Sequence, residues 1–272
     1  MTRVQGTSRV LAIVGDPVQH SLSPALHNAA ISALGLDAVY VPIRTDAVSL
    51  PHVIKAFEAI GIAGNVTLPH KLAVAQLLIR LTAAAQELSA VNTFFPEGGR
   101  LVGDNTDVAG LLEALDRLEA PGPWLVAGTG GAARAVAAAA RARSAQLLVR
   151  SRDSARAATF AAWAREAGVD AHPDDGGESV GTALNATPLG LKAGDPPPVP
   201  ADRLDGCRVA LDLVYAPNET AWIRFCRTRG LRASDGRAML VAQGAYAFER
   251  FFPGVTAPRE VMAAAVRQAL GD

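Results

Sequence analysis

Trp124-Leu125-Val126-Ala127-Gly128-Thr129-Gly130-Gly131-Ala132-Ala133-Arg134 is the stretch that decides the fold class. A short apolar run enters a glycine turn. An alanine-rich stretch to about Arg143 follows, and then a second apolar run at Gln146–Val149. Strand, turn, helix and strand in that order make a βαβ unit. Gly128 permits a tight turn, and Gly130 removes the Cβ that would keep backbone away from a pyrophosphate. Ala133 is small enough for the helix to pack closely on its strand. The helix start adds free N–H groups and the positive end of its dipole, both suited to an anion. The plainer alternative is a strand-to-helix turn with incidental glycines. The complete context favours a dinucleotide site, with Thr129, Gly131 and Ala132 completing its loop.

About twenty residues on, an NAD site keeps an acid for the ribose 2′-hydroxyl. Here the sequence runs Val149-Arg150-Ser151-Arg152-Asp153-Ser154-Ala155-Arg156. Arginines at a strand end can grip a 2′-phosphate through charge-assisted hydrogen bonds, which favours NADP. A solvated basic loop, with Asp153 as a ribose acid, is the other reading.

The same texture continues on both sides. Upstream, strands are predicted at Val10–Val14, Val39–Pro42 and Ile62–Leu68, and helices at about Pro24–Leu34, Leu50–Ile60 and Leu72–Leu81. Val91–Phe95 and Leu101–Gly103 read as a hairpin turning at Pro96-Glu97-Gly98-Gly99. A helix from about Val108 to Leu118 runs into the breaker cluster Ala120-Pro121-Gly122-Pro123. Downstream, strands are predicted near Ala183–Ala186 and Val209–Val214, a loop at Asp195–Pro200, and an amphipathic helical tail from Gly236 to Leu270. The expected architecture is α/β: an N-terminal α/β domain followed by a Rossmann-type doubly wound dinucleotide-binding domain.

Bulk properties narrow the function. Lys plus Arg equals Asp plus Glu at 26 each in 272 residues, so no global field recruits nucleic acid or an anionic membrane. No apolar run reaches the roughly 18 residues of a membrane span. Met1–Arg9 lacks the pattern of a signal peptide, and Cys207 and Cys226 form neither a disulfide framework nor a metal spacing. A cytoplasmic location without metal is expected.

Three polar clusters lie near predicted strand ends: Gly15-Asp-Pro-Val-Gln-His-Ser21-Leu-Ser23-Pro24, Gly64-Asn65-Val-Thr67-Leu-Pro-His70-Lys71, and Ala90-Val-Asn92-Thr93 with Asp104-Asn-Thr-Asp107. Ser23 before Pro24 and Asp107 could each be simple helix caps. Lys71 at a helix start is mildly misplaced against the dipole, which favours a functional reason for it.

These motifs resemble the shikimate dehydrogenase family. The match includes Ser21-Leu-Ser-Pro24, Asn65-Val-Thr-Leu-Pro-His-Lys71, Val91-Asn-Thr93, Asn105-Thr-Asp107, Gly128-Thr-Gly-Gly-Ala132, Asp212-Leu-Val-Tyr-Ala-Pro217 and Met239-Leu-Val-Ala-Gln-Gly244, in the family's order. The resemblance implies reversible NADPH-linked reduction of 3-dehydroshikimate to shikimate, with Lys71 and Asp107 as the catalytic pair. It implies the substrate carboxylate on Ser21 and Ser23, and ring hydroxyls near Asn65, Thr67, Asn92, Tyr215 and Gln243. It implies cofactor contacts at residues 128–132, Arg150, Ser151, Arg152, Leu213 and Gly236. The implied domains are 1–107, completed by 237–272, for substrate and 108–236 for NADP, in a monomer or homodimer. Whether Lys71 shuttles a proton or stabilises charge stays open, as does a paralogue acting on quinate or aminoshikimate. A non-catalytic dinucleotide-binding protein is the rival from another class; it would be expected to lack Lys71 or Asp107. Ser89 and Val108 stand where the family tends to have glycine, and Ala83 where it often has an acid.

Overall fold

The computed structural model describes residues 4–192 and 194–272. The backbone folds as two compact units, Met1–Asp107 with Val241–Ala269, and Val108–Leu240 with Leu270–Asp272.

The first unit begins with β1 (Arg9–Gly15), α1 (Ser23–Ala33), β2 (Ala38–Arg44), α2 (Leu50–Ile60) and β3 (Ala63–Val66). It continues with α3 (Lys71–Leu77), β4 (Arg80–Leu81), α4 (Ala83–Leu88), β5 (Thr93–Glu97) and β6 (Arg100–Asp104). Its sheet order is β2-β1-β3-β5-β6-β4. Strand β1 runs parallel to β2 and β3, whereas β5 runs antiparallel to both β3 and β6. The hairpin turns more tightly than its sequence suggests. Glu97 pairs with Arg100, leaving Gly98 and Gly99 as a two-residue loop with φ of 62° and 73°, a geometry glycine adopts readily.

The predicted helix 72–81 is cut short. It ends at Leu77, because Arg80 and Leu81 pair in parallel with Val102 and Gly103, and tertiary pairing overrides the local period. Thr82 then caps α4, its hydroxyl accepting from Ala85 N at 3.4 Å.

The second unit starts with α5 (Asp107–Arg117), β7 (Trp124–Ala127), α6 (Gly131–Ala142), β8 (Leu147–Arg150), α7 (Ser154–Glu166) and β9 (Ala171–Pro173). Then come β10 (Thr182–Asn185), β11 (Val209–Asp212), α8 (Ala221–Thr228) and β12 (Arg232–Ser234). All its pairings are parallel, in the order β12-β11-β10-β7-β8-β9. The chain winds outward from β7 in one direction and then from β10 in the other. The switch between them is where doubly wound sheets bind ligands, beyond the strands' carboxyl ends. The buried alanines 133, 135 and 137–140 let α6 lie close on this sheet. Helix α7 carries no clear apolar stripe and escaped the sequence reading.

The tail is two helices, α9 (Arg237–Phe251) and α10 (Arg259–Leu270), and the boundary between units falls within α9. Among the described residues no helix is long and apolar enough to cross a membrane.

Candidate active site

Lys71 is the first residue of α3, and its backbone is held on both sides. Val91 N donates to Lys71 O at 2.9 Å, while the preceding His70 places Nε2 2.5 Å from Thr45 O. Asp107 opens α5, with its own N–H donating to Asn105 Oδ1 at 3.0 Å. The two side chains meet: Lys71 Nζ donates to Asp107 Oδ2 at 2.7 Å. The second carboxylate oxygen accepts from Asn92 Nδ2 at 2.8 Å. The pair is partly open, with side-chain exposures of 29% and 16%. A reactant can therefore reach an ammonium whose counter-ion is already fixed.

Strand direction brings these residues together. Because β5 is antiparallel to β3, Thr93 lies opposite Asn65; because β6 returns antiparallel, Asp104 lies opposite Thr93. The start of β5 thus joins the ends of β3 and β6 at one edge. Asn92 is the hub there. Its Oδ1 accepts from Thr106 N and Thr93 Oγ1, both at 2.9 Å, and its Nδ2 also reaches Thr106 Oγ1 at 3.0 Å and Gln243 Oε1 at 3.4 Å. Buried Asp104 ties the loop to the returning helix, accepting from Arg250 Nε at 2.9 Å and Thr82 Oγ1 at 2.5 Å.

Ser23 starts α1 and donates its backbone N–H to Ser21 Oγ at 3.2 Å. Thr67 follows β3, its N–H donating to Val14 O at 2.9 Å. Asn65 belongs to β3 itself and is buried. Tyr215 follows β11 in the second unit and is half-buried.

The second unit carries the glycine turn as expected. Gly128 has φ of 116°, and a Cβ there would meet Ala186 O at 2.8 Å. At Gly130 and Gly131 a Cβ would meet nothing within 4 Å, so the space before α6 is open to a ligand. Gly236 must be glycine for a different reason: a Cβ would lie 2.5 Å from Leu213 O. Open backbone at a helix start, at the sheet's switch point, fits a pyrophosphate.

The two arginines beyond β8 differ. Arg150 Nη1 donates to Asp174 Oδ2 at 2.8 Å, and Arg203 binds the same nearly fully buried carboxylate at 2.7 Å. Arg152 is exposed, with no carboxylate paired to it among the described residues. Asp153 caps α7, accepting from Ala155 N at 2.9 Å, and Ser151 Oγ accepts from Asp153 N at 3.3 Å. Asp212, at the end of β11, is fully buried, and burial pushes its pKa up to about 6 despite hydrogen bonds from Thr220, Val214 and Asn185.

A cavity of about 470 Å³ lies at the opposite, amino-terminal edge of this sheet, lined by Glu119, Trp124, Arg143 and Ser144 among others. It is at the wrong end of the strands for the cofactor, and its Asp116 is already paired with Arg143. Among the described residues no group of three or more His, Cys, Asp or Glu could hold a metal.

The family model for the shikimate dehydrogenase substrate binding domain matches residues 13–94, and that for the shikimate 5′-dehydrogenase C-terminal domain matches 236–267. A shikimate dehydrogenase (NADP(+)) of Thermosynechococcus vestitus is 37% identical, over 100% of this chain and 99% of its own. The chain belongs to the shikimate dehydrogenase family. Two solved members of that family extend the likeness to the fold. A shikimate dehydrogenase in complex with NADP+ matches with a TM-score of 0.90 at 33% identity, covering 99% of this chain and 98% of its own. The Thermus thermophilus enzyme in complex with NADP(H) and shikimate matches at 0.87 and 38% identity, covering 96% and 99%.

Departures from the shikimate dehydrogenase pattern have local consequences. Ser89 takes a left-handed φ of 49° at the end of α4, a conformation glycine adopts without strain. Ala83 is the first residue of α4 and presents no carboxylate. Sequence reasoning missed Tyr40, His27, Asp174 and Arg250. Nothing in their local patterns sets them apart, because their partners lie at least 13 residues away.

Proposed function

We propose that this protein is an NADP-dependent shikimate dehydrogenase, reducing the ketone of 3-dehydroshikimate to shikimate and reversing the reaction. The observation that carries this reading is the Lys71–Asp107 pair, held by Asn92 at the sheet edge where Ser21, Ser23, Thr67 and Gln243 also collect in the sequence motifs. The first unit would take the substrate: carboxylate on the Ser21 and Ser23 hydroxyls, ring hydroxyls at Thr67, Asn92 and Gln243. The second unit would take NADPH, its pyrophosphate on Gly128–Ala132, its 2′-phosphate by Ser151 and Arg152, and its nicotinamide end by Leu213 and Gly236.

NADPH supplies the hydride when bound. As the carbonyl carbon becomes tetrahedral, negative charge builds on its oxygen. The Lys71 ammonium stabilises that charge and supplies the proton that completes the alcohol. Asp107 holds the lysine aimed, and in the reverse direction the pair receives the proton. The enzyme works in the cytoplasm as a monomer or homodimer, with no nucleic-acid or membrane partner and no metal.

The test follows NADPH absorbance with purified protein offered shikimate or quinate, each with NADP or NAD. Shikimate with NADP is expected to give the highest kcat/KM. Faster turnover of quinate with NAD would overturn both the substrate and the cofactor assignment.

A further inference from the structure

Asn65 lies at the edge that gathers the proposed substrate residues, yet both hydrogens of its amide and one lone pair of its oxygen are already engaged within the protein. The residue is 5% exposed. Its Oδ1 accepts from the Tyr40 hydroxyl at 2.7 Å, and the two hydrogens of Nδ2 go to Asn92 O at 3.1 Å and Thr93 Oγ1 at 3.0 Å. A primary amide carries two N–H donors, and both are used.

The next links are directional as well. Thr93 Oγ1 accepts from Asn65, so its own hydrogen is free to go to Asn92 Oδ1 at 2.9 Å. The Thr106 N–H, which can only donate, meets the same Oδ1 at 2.9 Å. Two donors on one oxygen leave the Asn92 amide a single orientation, with Nδ2 turned to Asp107 Oδ1 at 2.8 Å. The other Asp107 oxygen holds Lys71. An unbroken series of hydrogen bonds therefore runs from Tyr40 through Asn65, Thr93 and Asn92 to the Lys71–Asp107 pair.

Its far end is rigid. Tyr40 is buried, stacked on His27 with ring centroids 4.4 Å apart, and His27 in turn lies against Phe251 at 5.5 Å. Burial holds the Tyr40 hydroxyl protonated and His27 neutral, the latter with its pKa lowered to about 3, so neither of these two groups changes charge near neutral pH.

The geometry points to Asn65, with Tyr40 and Thr93, as positioning residues: a buried relay that sets the Asn92 amide on Asp107 and so fixes the carboxylate that orients Lys71, without itself binding substrate. This rests on the dehydrogenase reading, and it departs from the sequence-level expectation that Asn65 meets a ring hydroxyl.

The experiment compares Tyr40→Phe, Thr93→Val, Thr93→Ser and Asn65→Ala with wild type by kcat, by KM and calorimetric Kd for shikimate, and by thermal melting. Tyr40→Phe keeps the stacked ring and removes the hydroxyl, with its hydrogen bond to Asn65 and its contact with Ser23. It is expected to lower kcat about tenfold, with Kd changed less than twofold. Thr93→Val should behave likewise, and Thr93→Ser should restore most of the rate. The double variant Tyr40→Phe/Asn65→Ala should be no slower than Asn65→Ala alone, as for members of one series. A tenfold weaker Kd in Asn65→Ala at unchanged kcat would make Asn65 a ligand and overturn the relay. So would fully additive losses, or an unchanged kcat in both Tyr40→Phe and Thr93→Val. If Asn65→Ala does not fold, those two variants still decide the matter. A wild-type protein inactive on shikimate would defeat the dehydrogenase reading instead. The relay is then judged by the Asn92 side-chain amide signals in a 1H–15N spectrum, which must shift in Tyr40→Phe and would refute it by staying in place.

Discussion

Lys71 Nζ and Asp107 Oδ2 are 2.7 Å apart, although 36 residues separate them in the chain. Each residue opens a helix, and the ion pair is partly exposed, so its value lies in orientation more than in stability. Lys71→Ala is expected to lower kcat by about 10²–10⁴, the range for a positioned acid–base group, with an unchanged circular dichroism spectrum. Asp107→Asn should lose nearly as much, and the double variant little more than the worse single one, because the two act as a unit. Initial rates with shikimate and NADP measure this; near-normal kcat in Lys71→Ala would remove the assignment.

Arg152 is exposed and without an ionic partner among the described residues, whereas Arg150 is spent on Asp174. Loss of a charge-assisted hydrogen bond to a 2′-phosphate is worth roughly 1.5–3 kcal/mol. Arg152→Ala should therefore raise KM for NADP about 10–100-fold and leave KM for NAD almost unaltered. An equal effect on both cofactors would show that Arg152 does not recognise the 2′-phosphate.

The glycines of the turn should separate into two kinds. Gly128→Ala would force a Cβ against Ala186 O at a φ of 116°, so a lower melting temperature is expected. Gly130 is in extended backbone with φ of −89° and open space beside it, so Gly130→Ala should melt like wild type. The added methyl would nevertheless stand where the pyrophosphate approaches, and Kd for NADP should rise at least tenfold by fluorescence titration. Unaltered binding would argue against phosphate on this loop.

Ser89 closes α4 in the left-handed region at φ of 49°. That conformation costs an L-residue about 1–2 kcal/mol, part of which glycine's greater unfolded freedom cancels. Ser89→Gly should stabilise the protein by about 1 kcal/mol in urea unfolding, without changing KM. A destabilised variant would show that the Ser89 side chain contributes more than its backbone strain costs.

His27 should make the first unit sensitive to acid. Burial lowers its pKa from 6.5 to about 3 in the folded protein. Between those values the unfolded chain binds a proton that the folded chain refuses, so stability is complete above about pH 6.5 and declines below it. The loss from this group is about 3 kcal/mol by pH 4. Denaturant unfolding of wild type and His27→Gln at pH 4–7 should show a shallower pH slope in the variant. Equal slopes would mean that His27 titrates normally.

Several elements were legible because their causes are local. The strand Trp124–Ala127 and the helix Gly131–Ala142 follow from an apolar run, glycines and alanines within twenty residues. Helix α2 declared itself by its apolar spacing. The three-residue edge strands Ala171–Pro173 and Arg232–Ser234 were not legible, being too short to show a period. The end of α3 was misjudged because the pairing of Arg80–Leu81 with Val102–Gly103 competes with helix from 21 or more residues away.

Residue chemistry and spacing alone were enough to name the turn at Gly128, the pair Lys71 and Asp107, and the family whose order of motifs they follow. They were not enough to separate groups that face a ligand from groups spent within the protein. Arg150 carries the same chemistry as its neighbour Arg152, and Asn65 stands among the substrate motifs with the same chemistry as a ligand-binding residue. Only the antiparallel course of β5, which sets Thr93 against Asn65, and the return of β9 toward β8, which carries Asp174 to Arg150, decide that both are already engaged within the protein. A side chain's chemistry is local, but its unmet hydrogen bonds are a property of whichever strands the fold lays beside it.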